Sequence, residues 1–231
     1  MKQAHALGIL ADGKSVFLTG PAGSGKTYVL NQFVRYARDN GKKVAVTAST
    51  GLAATHLGGN TIHSWAGIGI HDEVKKYMIA EMSKSRRDQI VGADILVIDE
   101  VSMLHDYRLD MVEEVCRKVR ENDRPFGGLQ VVLCGDFFQL PPINRDEGRQ
   151  GGFIVGSEAW ANLDPIICYI DEQHRQDDDQ LLEILTALRG NDLRRRHAEA
   201  LLERKMYRTP FDEVVTELYT RNVDVDSINF A

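Results

Sequence analysis

Short apolar runs separated by polar, helix-forming stretches recur along most of the chain. The runs Val16–Thr19, Val44–Thr47, Ile95–Asp99, Leu129–Cys134 and Ile166–Ile170 are rich in Val, Ile and Leu and show no strict alternation. Strands buried on both faces read this way, as in a parallel sheet covered by helices. Between them the spacing turns helical. Lys26–Asn40 is followed by Gly41, a residue suited to the left-handed turn that closes a helix. Asp106–Glu121 places Met111, Val112, Val115 and Val119 on one face, the stripe by which a helix packs on a sheet. The alternation predicts an α/β fold with a central, mainly parallel sheet.

Residues 67–92 interrupt this rhythm. After Gly67-Ile68-Gly69, the stretch Asp72 to Gln89 carries Lys75, Lys76, Lys84, Arg86 and Arg87. It reads either as a solvated helical pair or as a small inserted subdomain beside a ligand groove. Beyond Arg175 the pattern changes again. Asp177-Asp178-Asp179 precedes Leu181, Leu182, Ile184, Leu185 and Leu188, an amphipathic helix with acids at its positive end. A basic–acidic helix, Arg194–Arg204, follows, and Glu217–Thr220 reads as one more strand. The expected organisation is a first domain over residues 1–175 that contains the insertion. A helical connector and the beginning of an incomplete second domain then occupy residues 176–231.

Composition adjusts this picture in two places. With 231 residues, 43% hydrophobic and 27% charged, the chain can bury a sizeable core. No stretch approaches the roughly 18 apolar residues that a membrane span requires, and Met1-Lys2-Gln3 leads into no signal peptide. Cys116, Cys134 and Cys168 lack metal-ligand spacing and read as buried thiols of a reduced, cytoplasmic protein. The net charge of −6 argues against a non-specific basic coat for nucleic acid but leaves room for a local groove. Composition alone favours a small-molecule enzyme.

The motifs point elsewhere. Residues 20–27 read GPAGSGKT, directly after Val16–Thr19 and directly before the helical Tyr28–Val34. In this setting Gly-x4-Gly-Lys-Thr binds a nucleoside triphosphate. Gly20, Gly23 and Gly25 let the backbone turn its N–H groups toward phosphate oxygens at the positive end of the next helix. Lys26 reaches the β- and γ-phosphates and the Thr27 hydroxyl ligates Mg²⁺. Ala22, Ser24 and Tyr28 complete the expected nucleotide-contacting set. A glycine turn between strand and helix is the plainer alternative.

The run Ile95–Ile98 ends in Asp99-Glu100, delivering two carboxylates to the ligand-binding edge of a parallel sheet. Asp99 is placed to hold Mg²⁺, and Glu100 to orient or deprotonate an attacking water. In Gly135-Asp136-Phe137-Phe138-Gln139-Leu140-Pro141-Pro142, Gln139 is placed to sense a γ-phosphate or lytic water. Phe137 or Phe138 reads as core packing.

GPAGSGKT, VTASTGLAA (46–54), GGNTIHSW (58–65), ADILVIDEVSML (93–104), GGLQVVLCGDFFQLPP (127–142) and EQHRQ (172–176) occur in this order. Together they resemble the first motor domain of a Pif/RecD-type superfamily I DNA helicase over nearly the whole chain. The resemblance implies a RecA-like fold, ATP and Mg²⁺ as cofactors, and 5′-to-3′ movement on single-stranded and fork DNA. It further implies that Gln3 reads the adenine edge and that Arg175 stabilises charge on the γ-phosphate. Thr47, Ser49, Thr50, Thr61, His63 and Trp65 would contact DNA, with core packing the equal alternative for the Trp65 ring, and residues 67–92 would form a wedge-bearing subdomain. The family also uses a second RecA-like domain, in the same or another chain, whose motifs are not legible after residue 190. The chain therefore reads as a monomeric fragment or truncated product with little unwinding of its own. Two rivals remain: a small-molecule P-loop enzyme, and a module that works docked to a partner chain.

Overall fold

Each of the five apolar runs is a strand, and a sixth strand sits at one margin of the same sheet. The computed structural model describes residues 1–144, 148–172 and 179–205, with the isolated positions 219, 225 and 227. In chain order the elements are α1 (Gln3–Ala11), β1 (Val16–Thr19), α2 (Lys26–Asp39), β2 (Val44–Ala48), α3 (Gly51–His56), β3 (Asn60–Thr61), α4 (Ile62–Ala66) and α5 (Lys76–Ala80). They continue with α6 (Lys84–Gly92), β4 (Ile95–Asp99), α7 (Asp106–Arg120), β5 (Gln130–Cys134), α8 (Glu158–Leu163) and β6 (Ile166–Tyr169). Two further helices, α9 (Asp179–Arg189) and α10 (Arg195–Lys205), come last.

The sheet order is β3-β2-β4-β5-β1-β6. Every pairing is parallel. The carboxyl ends of all strands therefore share one edge, and the loops leaving β1, β2, β4 and β5 converge there. Alternation across the strands splits the core in two. Phe17, Leu96, Ile98, Val131 and Leu133 face one side, together with Ile62, Trp65, Ile90, Leu109 and Ala159 from α4, α6, α7 and α8. Val16, Leu18, Ile95, Val97, Val132 and Cys134 face the other, against Ala6 and Leu10 of α1 and Val29, Leu30 and Phe33 of α2. Burying one such large side chain stabilises the fold by about 1.5–3 kcal/mol, so the two layers hold the carboxyl edge rigid.

Gly41 closes α2 at φ 75°, and the N–H groups of Gly41 and Lys42 donate to Arg38 O and Ala37 O, each at 2.9 Å. The end of α7 differs from the sequence reading. Glu121 leaves the helix at φ 52°, taking the left-handed cap usually given to glycine. Residues 67–92 hold two short helices, α5 and α6, the helical pair that the sequence offers as one reading. Val74, Met78, Ile79 and Met82 pack on the same core as Ile90. Arg120 of α7 also donates to Ile90 O, Val91 O and Ala93 O at 2.8–2.9 Å, satisfying carbonyls at the end of α6.

The chain divides into two compact units, Met1–Gln176 and Asp177–Ala231. In the second, Glu183 of α9 pairs with Arg196 at 2.6 Å and lies 3.3 Å from His197 Nε2 on α10. The strand expected at Glu217–Thr220 falls outside the contiguous described stretches. Cys116, Cys134 and Cys168 are free and buried. Among the described residues no helix is long and apolar enough to cross a membrane.

Candidate nucleotide site and adjoining groove

The loop from β1 to α2 depends on two glycines that no other residue would serve. Gly20 has φ 151°, and a Cβ there would run into the Ile170 carbonyl oxygen at the end of β6. Gly25, the residue capping α2, has φ 85°, and a Cβ would strike the Gln3 side chain. Gln3 reaches this loop because α1 packs along α2. Its Nε2 donates to Ser24 O at 3.0 Å, and its backbone N–H donates to Glu172 Oε2 at 2.8 Å. Lys26 Nζ donates to Gly20 O at 2.8 Å and Pro21 O at 3.0 Å, which holds the ammonium over the loop. Ser24 Oγ is buried without a hydrogen-bond partner among the described residues. Ala22, Thr27 and Tyr28 lie on the loop and the first turn of α2, and all three are exposed.

Asp99 and Glu100 stand at the end of β4, the strand lying beyond β5 from β1. Asp99 is 7% exposed, and its Oδ1 accepts the Glu100 N–H at 2.9 Å. Glu100 has φ 54° and ψ 42°, a left-handed conformation that costs roughly 1–2 kcal/mol for a side-chain-bearing residue. Such strain at a strand end turns the carboxylate out of the sheet and is typical of functional turns. Burial, then the neighbouring Asp99, raises the Glu100 carboxyl above its ordinary range; Lys26 opposes this and Asp136 adds to it. A group so raised is better matched to accepting a proton near neutral pH.

The β5 loop supplies Asp136 and Gln139. Asp136 is 2% exposed and accepts the Phe138 N–H at 3.1 Å; Gln139 N–H donates to Asp136 O at 2.9 Å, and its Nε2 lies 3.5 Å from Asp136 Oδ2. Phe137 stacks on Phe17 at 5.0 Å, whereas Phe138 is exposed. Asp136 and Glu172 carry this arrangement, and sequence reasoning misses both. The buried Asp136 is signalled only by its place after a strand, and Glu172 only by β6 lying beside β1. Arg175 lies outside the described residues.

Beside the acidic turn a groove of ≈ 760 Å³ is lined by Thr50, Thr61 and His63 together with Arg86, Arg108 and Arg149. Thr50 and Thr61 each cap a short helix, accepting the Ala53 and Ser64 N–H groups at 3.3 and 3.2 Å. Burial, then Arg108 and His105, lower the His63 pKa, so the imidazole is neutral at pH 7. Ser49 sits at the acidic turn instead, its hydroxyl donating to Glu100 O at 2.7 Å. For Thr47 the expectation is corrected, and for Trp65 the core alternative is the one observed. Thr47 is fully buried and donates to Val97 O at 2.6 Å, which leaves its hydroxyl inside the sheet. Trp65 is 6% exposed within the core, so its ring offers no face for stacking a base. The groove arginines are obscured in the sequence. Arg108 falls on a helix whose pattern speaks only of packing, and it is held at 3.0 Å by Asp72.

Fold and site together define a RecA-like P-loop domain. The chain belongs to the PIF1-like helicase family, whose sequence profile matches residues 2–184. It is 48% identical to the ATP-dependent DNA helicase Pif1 of Psychrobacter sp. (strain PRwf-1), over 99% of this chain and 36% of that protein. It is 35% identical to the Homo sapiens ATP-dependent DNA helicase PIF1, over 99% of this chain and 35% of the relative. The crystal structure of Pif1 helicase from Candida albicans superposes with a TM-score of 0.89 at 35% identity, covering 99% of this chain and 52% of that one. Pif1 helicase from Bacteroides in complex with ADP-AlF3 and ssDNA gives a TM-score of 0.84 at 30% identity, covering 99% and 55%. The chain thus spans about a third of these curated relatives and about half of the solved chains.

Proposed function

We propose that the chain is the ATP-binding motor domain of a 5′-to-3′ DNA helicase acting on single-stranded and fork DNA. One observation carries the reading: Lys26, Asp99-Glu100 and Gln139 meet on one sheet edge, and Ser49 links that acidic turn to the strand that leads into the groove. The direction of travel rests on kinship to the family alone. In this reading Lys26 leaves the Gly20 and Pro21 carbonyls for the β- and γ-phosphates, and Gln3 reads the adenine edge. Thr27 and Asp99 offer the hydroxyl and carboxylate oxygens that suit Mg²⁺, with phosphate and water completing the shell. The ion would neutralise charge building on the phosphates.

Glu100 takes a proton from the attacking water, and its raised pKa suits that task. Gln139 touches the γ-phosphate, and its bonds to Asp136 relay the departure of that phosphate to the β5 loop. Arg175 supplies positive charge to the same phosphate. The phosphate site needs a second wall, furnished by another RecA-like domain in the same protein or in a docked partner. By itself the chain binds nucleotide with little turnover and no unwinding. The test is the ATPase rate with and without single-stranded DNA, for this chain and for this chain joined to a second RecA-like domain. Lys26→Ala and Glu100→Gln serve as controls. A joined protein whose ATPase is indifferent to DNA would return the chain to the small-molecule P-loop enzymes.

A further inference from the structure

Away from the nucleotide edge, a second cleft of ≈ 800 Å³ opens between the start of β2 and helix α6. β2 is paired with β4 along its whole length, Val44 to Ala48, but β3 pairs only with Thr47 and Ala48. Thr47 and Ala48 are accordingly buried, as is all of β4, while Val44, Ala45 and Val46 are only partly covered. The Gly58-Gly59 backbone hugs the strand at Val46, where a Cβ on Gly59 would collide with the Val46 carbonyl oxygen. The odd-numbered residues of this stretch bond to β4, as the Ile95 N–H to Lys43 O and Ser49 N–H to Asp99 O contacts show, so the sheet edge is open at the Val44 N–H and C=O, in line with β3. An open edge of this kind pairs with an incoming extended backbone.

Charge around the opening says what would enter. The chain carries −6 overall, yet the cleft is lined by Arg38, Lys43 and Lys84 against one carboxylate, Asp88. None of the three cations makes an ion pair among the described residues, and all three are exposed. The nearby Asp94 carboxylate is engaged by the Lys43 backbone N–H at 2.8 Å. Trp65 lines the cleft but is only 6% exposed, which gives an apolar patch for a side chain and no platform for a nucleobase. Lys43, Val44 and Ala93 lie at the amino ends of β2 and β4, opposite the P-loop edge.

We propose that this cleft docks an extended acidic peptide segment of a partner protein. The peptide backbone pairs with the sheet edge at Val44, and its carboxylates meet Arg38, Lys43 and Lys84. The nucleotide site and DNA groove remain free, so docking and motor activity are compatible. The probe is a labelled alternating Glu-Val peptide followed by fluorescence anisotropy, with a Lys-Val peptide as control. The Glu-Val peptide is expected to bind and the Lys-Val peptide not, and Lys43→Glu with Lys84→Glu is expected to weaken binding by about tenfold or more. Hydrogen exchange should slow at Val44 when the peptide is present, with nucleotide binding unchanged in the double variant. No Glu-Val binding, or binding untouched by the charge reversal, overturns the proposal. So does displacement by a dT oligonucleotide protecting the same amide, or a self-associated state of the chain that occupies the cleft.

Discussion

Burial and Asp99 raise the Glu100 carboxyl while Lys26 draws it back, so one residue reports the electrostatics of the whole edge. Because the folded chain holds this proton more tightly than the unfolded chain, its contribution to stability is fully present below the ordinary carboxylate pKa. That contribution is lost as pH rises through the raised value. Glu100→Gln should therefore raise the melting temperature at neutral pH, with the gain fading in acid. The same change should lower kcat by roughly 10²–10⁴ while nucleotide still binds. In the wild type, the acid limb of the kcat–pH profile should lie above the ordinary glutamate value of 4.5. Trp65 tests the other assignment. As a core side chain, Trp65→Ala should cost about 3–5 kcal/mol in urea unfolding. Trp65→Phe should leave single-stranded DNA affinity unchanged; a stacking tryptophan would lower affinity in both variants.

At the level of elements, the phosphate loop is shaped by what crowds it as much as by its own glycines. Gly20 and Gly41 both have positive φ, but only Gly20 meets a backbone, at Ile170, while nothing lies within 4 Å of a Cβ on Gly41. Gly41→Ala should cost about 1–2 kcal/mol, the local penalty of a left-handed alanine. Gly20→Ala must also push β1 from the end of β6, so its loss of stability in urea unfolding should clearly exceed that of Gly41→Ala. Equal losses would mean that the close approach to β6 does not constrain the loop. Strands β1, β4 and β5 are legible in the sequence as Val-, Ile- and Leu-rich runs, because a strand covered on both faces must be largely apolar; β2 and β6 read the same way although β2 is partly and β6 largely uncovered. β3 is not legible, since a two-residue strand has no period to read. α3 and α4 escape notice for a similar reason: six and five residues are too few to show a face.

For the molecule as a whole, an acidic chain presents two locally basic surfaces, the groove and the cleft beside β2. Arg86 and Arg149 line the groove, so replacing either with alanine should reduce the salt dependence of single-stranded DNA binding. The expected change is roughly 0.7 in log–log slope for each phosphate the side chain neutralises. Lys43→Glu, at the far cleft, should leave that slope unaltered. A slope unmoved by both groove arginines would place the strand elsewhere.

The order of apolar runs, the GPAGSGKT loop and the paired Asp99-Glu100 by themselves determine an α/β P-loop domain and mark the residues proposed as its reacting groups. Local patterns suffice there, because burial period and loop chemistry are properties of contiguous residues. Tertiary structure alone decides which residues share a surface. It sets Gln3 against Ser24, brings Glu172 to the Gln3 backbone and gathers Arg86, Arg108 and Arg149 around Thr50, Thr61 and His63. It also sinks Thr47 and Trp65 into the core and leaves the start of β2 open. These are contacts across long stretches of chain, set by strand order and by which helix covers which face, and a linear pattern carries no record of either.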